Sequence, residues 1–294
     1  MNYLVICLAA FFASGLTLFS GFGLGTLLLP AMAIFFPIDL AIALTAVVHF
    51  LNNLFKLALL GRHADRSVVW RFGVPAILSA VLGAKALLWL SHLQPLLTYR
   101  FLGAELKVMP VKLVVAFLMV FFAFFELLPR FANLSFPRKY LPLGGLLSGF
   151  FGGLSGHQGA LRSPFLLKAG LTKESFIATG VVITLMVDIP RILVYTVNLH
   201  LLKLGESTLL LAAAAASAFA GAFMGNRLVK KITLRLIQIL VALMLLVIAA
   251  ALAGCTNPMR QACSICRRIV AKSSLISVDC DDSPAPRDPV LGLP

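Results

Sequence analysis

Residues Gly153 to Pro164 run Gly-Leu-Ser-Gly-His-Gln-Gly-Ala-Leu-Arg-Ser-Pro, and this stretch limits what the long apolar run around it can become. Glycines recur at every third position, and His157, Gln158, Arg162 and Pro164 then fall inside sequence that is otherwise apolar. Glycine unwinds cheaply and lets backbones approach, while proline leaves a carbonyl without its helical partner. At membrane depth such irregular backbone is tolerated only where protein or a water-lined cavity satisfies it. An imidazole, an amide and a guanidinium beside a break are hydrogen-bond donors, and donors on broken backbone suit a small anion. The competing structural account has the glycines serve tight helix packing and Arg162 reach outward to an interface.

A membrane setting follows from composition. The chain is 60% hydrophobic with a mean hydropathy of +0.99, well beyond the roughly 45–50% apolar content of soluble domains. No separate aqueous domain of catalytic size can be cut from it. The formal charge of +14 would point to nucleic acid in a soluble protein. Here the basic residues sit in short connections between apolar runs, as in loops facing the cytoplasm, so no nucleic-acid partner is expected. No Lys or Arg precedes Leu51 and no small-residue cleavage site follows the first run, so that run is expected to be mature membrane segment, not a removed signal.

A second copy of the pattern lies earlier. Displacing the chain by 134 positions pairs Gly25 with Gly159, Pro30 with Pro164 and Thr45 with Thr179. Gly21, Gly23 and Gly25 interrupt the first apolar run, Leu4 to Phe36, whose 33 residues would make a straight helix of about 50 Å against a hydrocarbon core of about 30 Å. Paired interrupted segments in two halves are the best sequence pointer to a transporter's binding site. The expected architecture is an all-α integral membrane protein of about eight hydrophobic segments in two repeats, each opening on a glycine-broken segment. Its divisions are a first repeat over 1–128, a basic connecting loop over 129–141, a second repeat over 142–254 and a tail over 255–294. If the first and fifth runs dip in and return, each half crosses three times and the repeats are inverted; counting basic residues does not choose between dipping and crossing.

Two further runs carry polar faces. In Leu40 to Leu60, Thr45, Asn52, Asn53 and Lys56 stand at −4, +3, +4 and +7 from His49, one side of a helix. Cross-helix pairing of the asparagines and a Lys56 directed to the headgroups near Gly61 are the structural alternatives. In Ser175 to Tyr195, Thr184, Asp188, Arg191 and Tyr195 form a second face beside Pro190, and Asp188 and Arg191 stand close enough to pair. Residues 91–112 are read as an amphipathic stretch on the interface. Cys7 is a small hydrophobe in the first run, while Cys255, Cys263, Cys266 and Cys280 lie in the tail without the spacing of a zinc site. That tail is expected to be a disordered extension.

The run from Gly21 to Pro30, its counterpart from Gly153 to Pro164 and the Ala-Thr stretches that follow resemble the sulfite exporter TauE/SafE family over roughly residues 1–254. The resemblance implies movement of sulfur oxyanions or organosulfonates across a bacterial inner membrane. Members often carry consecutive glycines where this chain has Gly23-Leu24-Gly25 and Gly156-His157-Gln158-Gly159, so the resemblance implies the substrate class and not sulfite in particular.

The residues and the resemblance together predict a secondary transporter or facilitator for a small anion, with no enzymatic activity. The expected substrate-binding set is Gly23, Gly25, His49, Asn52, Asn53, His157, Gln158, Gly159, Arg162, Asp188 and Arg191. Within it, Gly25 and Gly159 mark facing breaks, Asp188 holds Arg191 in place, and His49 and His157 are candidates to carry a coupling proton, an imidazole titrating ordinarily near pH 6.5. No cofactor and no metal are expected. The partners are the anion, the lipid bilayer and a coupling proton, and a homo-oligomer is compatible with the sequence. No G-x-x-x-x-G-K-[ST] motif is present, so the drive is a gradient or a separate partner. The alternatives are an intramembrane enzyme using His49, His157 and Asp188, which lacks any metal-ligand spacing, and an assembly subunit acting through its tail.

Overall fold

The computed structural model describes residues 2–20, 24–101, 104–127, 134–198 and 208–228, all within one compact unit, Met1–Pro258. Nine helices account for most of them: α1 Asn2–Ser20, α2 Leu24–Phe35, α3 Ile38–Leu60, α4 Arg66–His92, α5 Pro110–Leu127, α6 Leu141–Ser155, α7 Gln158–Leu167, α8 Lys173–Asn198 and α9 Thr208–Leu228. The eighth apolar run, Leu236 to Ala253, and the tail with its four cysteines lie outside the described residues.

One element departs from the sequence expectation. The stretch read as interfacial contains an antiparallel hairpin, β1 Leu97–Phe101 on β2 Ala104–Val108, with Leu97 opposite Val108 and Phe101 opposite Ala104. Alternating apolar and polar residues on both arms, Leu-Thr-Tyr-Arg-Phe and Ala-Glu-Leu-Lys-Val, carry the two-residue period of a strand.

The helices pair across the two halves. Sequence order makes α1, α2, α3 and α4 the counterparts of α6, α7, α8 and α9. In space α4 packs on α6 while α9 packs on α1, α4 packs on α8 while α9 packs on α3, and the equivalents α3 and α8 pack on each other. Lipid supplies no hydrophobic drive between helices, so such contacts depend on close van der Waals approach. Small residues permit it. A Cβ added at Gly149 of α6 would lie 2.2 Å from the carbonyl oxygen of Ala76 in α4, and one at Gly83 of α4 would lie 2.0 Å from that of Phe150. The same kind of contact recurs in the exchanged pair, where a Cβ at Gly221 of α9 would lie 2.0 Å from the Phe11 carbonyl of α1.

The outer faces are apolar. On α4, Leu78 and Leu82 point outward between Trp70 and Trp89, each tryptophan 65% exposed. Nineteen positions of helix separate the two rings, about 28 Å of rise, which matches a hydrocarbon core of about 30 Å with an indole at each boundary. Among the described residues three helices are long and apolar enough to cross a membrane, within Ile38–Ala58, Arg66–His92 and Lys173–Asn198; shorter apolar helices lie within Ile6–Gly15, Pro110–Phe124 and Leu209–Met224.

Gly149→Val is expected to force α4 and α6 apart and to cost about 1–3 kcal/mol by overpacking. Leu82→Ala, on the exposed face of α4, is expected to cost less than about 0.5 kcal/mol. Unfolding of the purified protein in detergent, followed by tryptophan fluorescence, measures both.

Candidate functional site

The fifth apolar run is a helical hairpin. Helix α6 ends at Ser155, and Gly156 follows at φ +83°, its N–H donating to the Gly152 carbonyl at 3.0 Å. An L side chain at that left-handed position is strained, which is why glycine closes the helix. After His157 the chain re-enters helix and folds back along α6. The Ser148 hydroxyl donates to the Gln158 carbonyl at 2.8 Å, and a Cβ at Gly144 would lie 2.5 Å from the Phe165 ring. With 15 and 10 residues, α6 and α7 rise about 22 and 15 Å, each short of a full crossing. Chain direction therefore reverses between two helices that are each too short to cross.

In the first run α1 ends at Ser20 and α2 begins at Leu24; Gly23, between them in sequence, lies outside the described residues. Gly25, in the first turn of α2, is buried, and a Cβ on it would lie 3.3 Å from the carbonyl oxygen of Gly156 and 3.9 Å from His49. The two breaks thus come together with His49 beside them, although 131 positions separate Gly25 from Gly156 in the chain.

Asp188, fully buried on α8, joins the surrounding helices. One carboxylate oxygen accepts from the Gln158 amide at 3.1 Å and from the Arg191 guanidinium at 2.7 Å, while the other lies 2.8 Å from Nδ1 of His49. Arg191 also donates to the Gly152 carbonyl at 2.8 Å, and the Tyr195 hydroxyl donates to the carbonyl of Gly153. The polar face of α8 therefore adds donors to the carbonyls at the end of α6, the Gly152 oxygen accepting from both Gly156 and Arg191. Because the Gln158 nitrogen faces the carboxylate, its Oε1 is buried with no partner among the described residues.

The other predicted residues divide between occupied and open groups. The Ser155 hydroxyl donates to the Phe151 carbonyl at 3.1 Å, so it accepts from Nδ1 of His157, also at 3.1 Å. Nε2 of His157 is then an acceptor, buried with no partner among the described residues, on a ring stacked 5.1 Å from Phe122. Asn52 accepts from the Ser14 hydroxyl at 2.9 Å and leaves its amide nitrogen unpartnered. The Asn53 amide donates to the His49 carbonyl at 2.8 Å, so it is engaged with its own helix. Gly159 lies in the first turn of α7, where its carbonyl accepts from Ser163 at 3.1 Å.

Arg162 does not reach outward. It is 4% exposed and donates to Thr184, whose hydroxyl donates in turn to the Gly180 carbonyl at 2.8 Å. Gly180 leaves room for the guanidinium, since a Cβ there would lie 3.4 Å from Nη2. Lys56 is 5% exposed, so the alternative that directs it to the headgroups does not hold. Thr184 and Tyr195 also join the constellation, and both lay on the polar face already visible in the sequence. Buried charge among the described residues thus consists of Lys56, Arg162 and Arg191 against Asp188 alone. Among those residues no three His, Cys, Asp or Glu side chains gather as a metal site.

Two broken segments meeting beside a surplus of buried cations, inside a bundle with an apolar exterior, define an all-α multi-pass membrane protein. The family model described as Sulfite exporter TauE/SafE matches residues 6–252, and the chain belongs to that family, one of membrane transporters for small anions. No curated protein and no solved structure matches the chain.

Asp188→Asn leaves the Arg191 charge buried without its partner and is expected to cost about 3–5 kcal/mol. Asp188→Asn combined with Arg191→Gln is expected to recover part of that loss. A double-mutant cycle on detergent unfolding reads the coupling.

Proposed function

We propose that this chain is a secondary transporter or facilitator that moves a small anion, a sulfur oxyanion or an organosulfonate, across the inner membrane, and that it is not an enzyme. The observation that carries the reading is Arg162, a guanidinium buried between α7 and α8 one turn past the break. Among the described residues buried cations outnumber buried carboxylates, and such positive charge attracts an anion into low dielectric, where each hydrogen bond to it is strong.

In this mechanism the halves over 1–128 and 142–254 each contribute one break, and 255–294 is an extension outside the transport unit. The first turns of α2 and α7 aim their unpaired N–H groups at the anion beside Arg162. Gln158 and Arg191 act through Asp188, which holds them in place. His49 shares the carboxylate with them and is the better candidate for a coupling proton; His157, stacked on Phe122, offers only its bare nitrogen. The Asp188–His49 pair is engaged by two further donors, which argues against its use as an acid-base couple on a lipid substrate.

Proteoliposomes holding the full chain are expected to take up sulfite, thiosulfate or an alkylsulfonate and to leave cations outside. Arg162→Ala is expected to reduce uptake about 10- to 100-fold, the worth of a hydrogen bond to a charged group, with Arg162→Lys retaining part of it. Preference for cations, or uptake indifferent to Arg162→Ala, would contradict the reading. Removal of residues 255–294 is expected to leave uptake within about twofold, a change under 0.5 kcal/mol; its loss would favour an assembly role for the tail.

A further inference from the structure

Helices α4 and α6 run side by side in the same direction, and their contacts fix the register. Cβ atoms added at Gly145, Gly149 and Gly153 of α6 would lie 2.2, 2.2 and 2.1 Å from the carbonyl oxygens of Phe72, Ala76 and Ala80 in α4. Followed back to the helix starts, that register sets Arg138 level with Asp65 and Lys139 level with Arg66. The Arg138 guanidinium does lie 3.5 Å from the Asp65 carboxylate. Three exposed cations, Arg66, Arg138 and Lys139, therefore gather at one end of the seam.

The acid beside them offsets only part of this charge. Asp65 caps α4, its carboxylate accepting from the Val68 N–H at 2.9 Å, and it faces Arg138 alone of the three. Arg66 makes no hydrogen bond or ion pair with any described residue, and the Lys139 ammonium lies 5.0 Å over the Tyr140 ring. Their depth is set by aromatic residues. Arg66 precedes the exposed Trp70 by four positions, about 6 Å of helix beyond the ring that marks the hydrocarbon boundary. Tyr140, 40% exposed, follows Lys139 at the start of α6. The cations thus stand where lipid phosphates lie. On the hydrocarbon side of them the two helices expose Val74 and Leu78, and Leu143 and Leu147.

We propose that this end of the α4–α6 seam is a binding site for an anionic phospholipid, its phosphate meeting Arg66 and Lys139 and its acyl chains lying along the exposed apolar side chains of the two helices. Positive charge set directly above an apolar face complements both parts of such a molecule, whereas a soluble anion would match only the upper part. A choline headgroup would bring its own cation to the basic cluster. The site is distinct from the buried constellation around Asp188 and does not depend on the anion-transport reading.

Native mass spectrometry of the purified full-length protein in detergent, titrated with dioleoyl phosphatidylglycerol or dioleoyl phosphatidylcholine, tests this. The wild type is expected to hold phosphatidylglycerol about tenfold more tightly than phosphatidylcholine. Arg66→Gln combined with Lys139→Gln should bring the two lipids within about twofold. Lys168→Gln combined with Lys173→Gln, which removes the same charge from the corner between α7 and α8, should keep the preference. Size-exclusion profiles confirm that both double variants are folded, and an excess of inorganic phosphate should leave the bound lipid in place. Equal retention of both lipids by the wild type, a preference that survives Arg66→Gln with Lys139→Gln, an equal loss in the corner variant, or displacement by phosphate overturns the site.

Discussion

A carboxylate with no water around it must be surrounded by donors, and in this protein that requirement falls on Asp188. Its oxygens draw Arg191 from one turn along the same helix, Gln158 from the tip of the second hairpin and His49 from the first half of the chain. Each of those groups is then fixed by what it also touches. Arg191 holds the Gly152 carbonyl of α6, and Gln158 is tethered through its own carbonyl to Ser148. His49 lies against Gly25 at the other break. Burial of one acid thereby locates both interrupted segments, a stronger constraint than helix packing alone supplies. Pairing a buried charge so completely is also costly to undo, because removing a partner exposes the desolvation penalty of the rest.

Around that centre the backbone does what side chains cannot. At the crossings of α4 with α6 and of α9 with α1, glycines let one helix rest on the carbonyls of the next. Large side chains such as Phe72, Phe122 and Tyr195 fill the space beside these crossings, while Leu78 and Leu82 face outward. The buried charged groups among the described residues lie on α3, α7 and α8. Among the described residues the interior is richer in cations than in carboxylates, and this contrast with the apolar exterior suits an anion.

Much of this was legible beforehand because it is local. Gly156 and His157 interrupt an apolar run, Asp188 and Arg191 stand three apart, and the alternation of polar positions on α3 and α8 follows the helical period. The contact between His49 and Asp188 was not legible, since 139 positions separate the two and no spacing rule reaches that far. For Lys56 the sequence left two places open, the polar face and the headgroups near Gly61; the corner after α3 is tied onto α8 through Asp65 and Thr179, and the side chain is buried. Asn53 looked like a free donor on the correct face, but its reach to the carbonyl one turn back depends on rotamer, not on position. The hairpin over 97–108 did carry a two-residue period, masked by the expectation that everything between membrane helices is loop.

The exchanged pairing of helices has a consequence for how such a chain can exist at all. In either half by itself, the glycine-lined flank of its fourth helix and the facing flank of its first have no partner within that half. A polypeptide of half this length would be left with two bare seams, and only a second molecule turned against it could close both. Joining the halves in one chain makes that companionship permanent, and it frees the two tips to diverge, one keeping Gly25 and the other acquiring His157, Gln158 and Arg162.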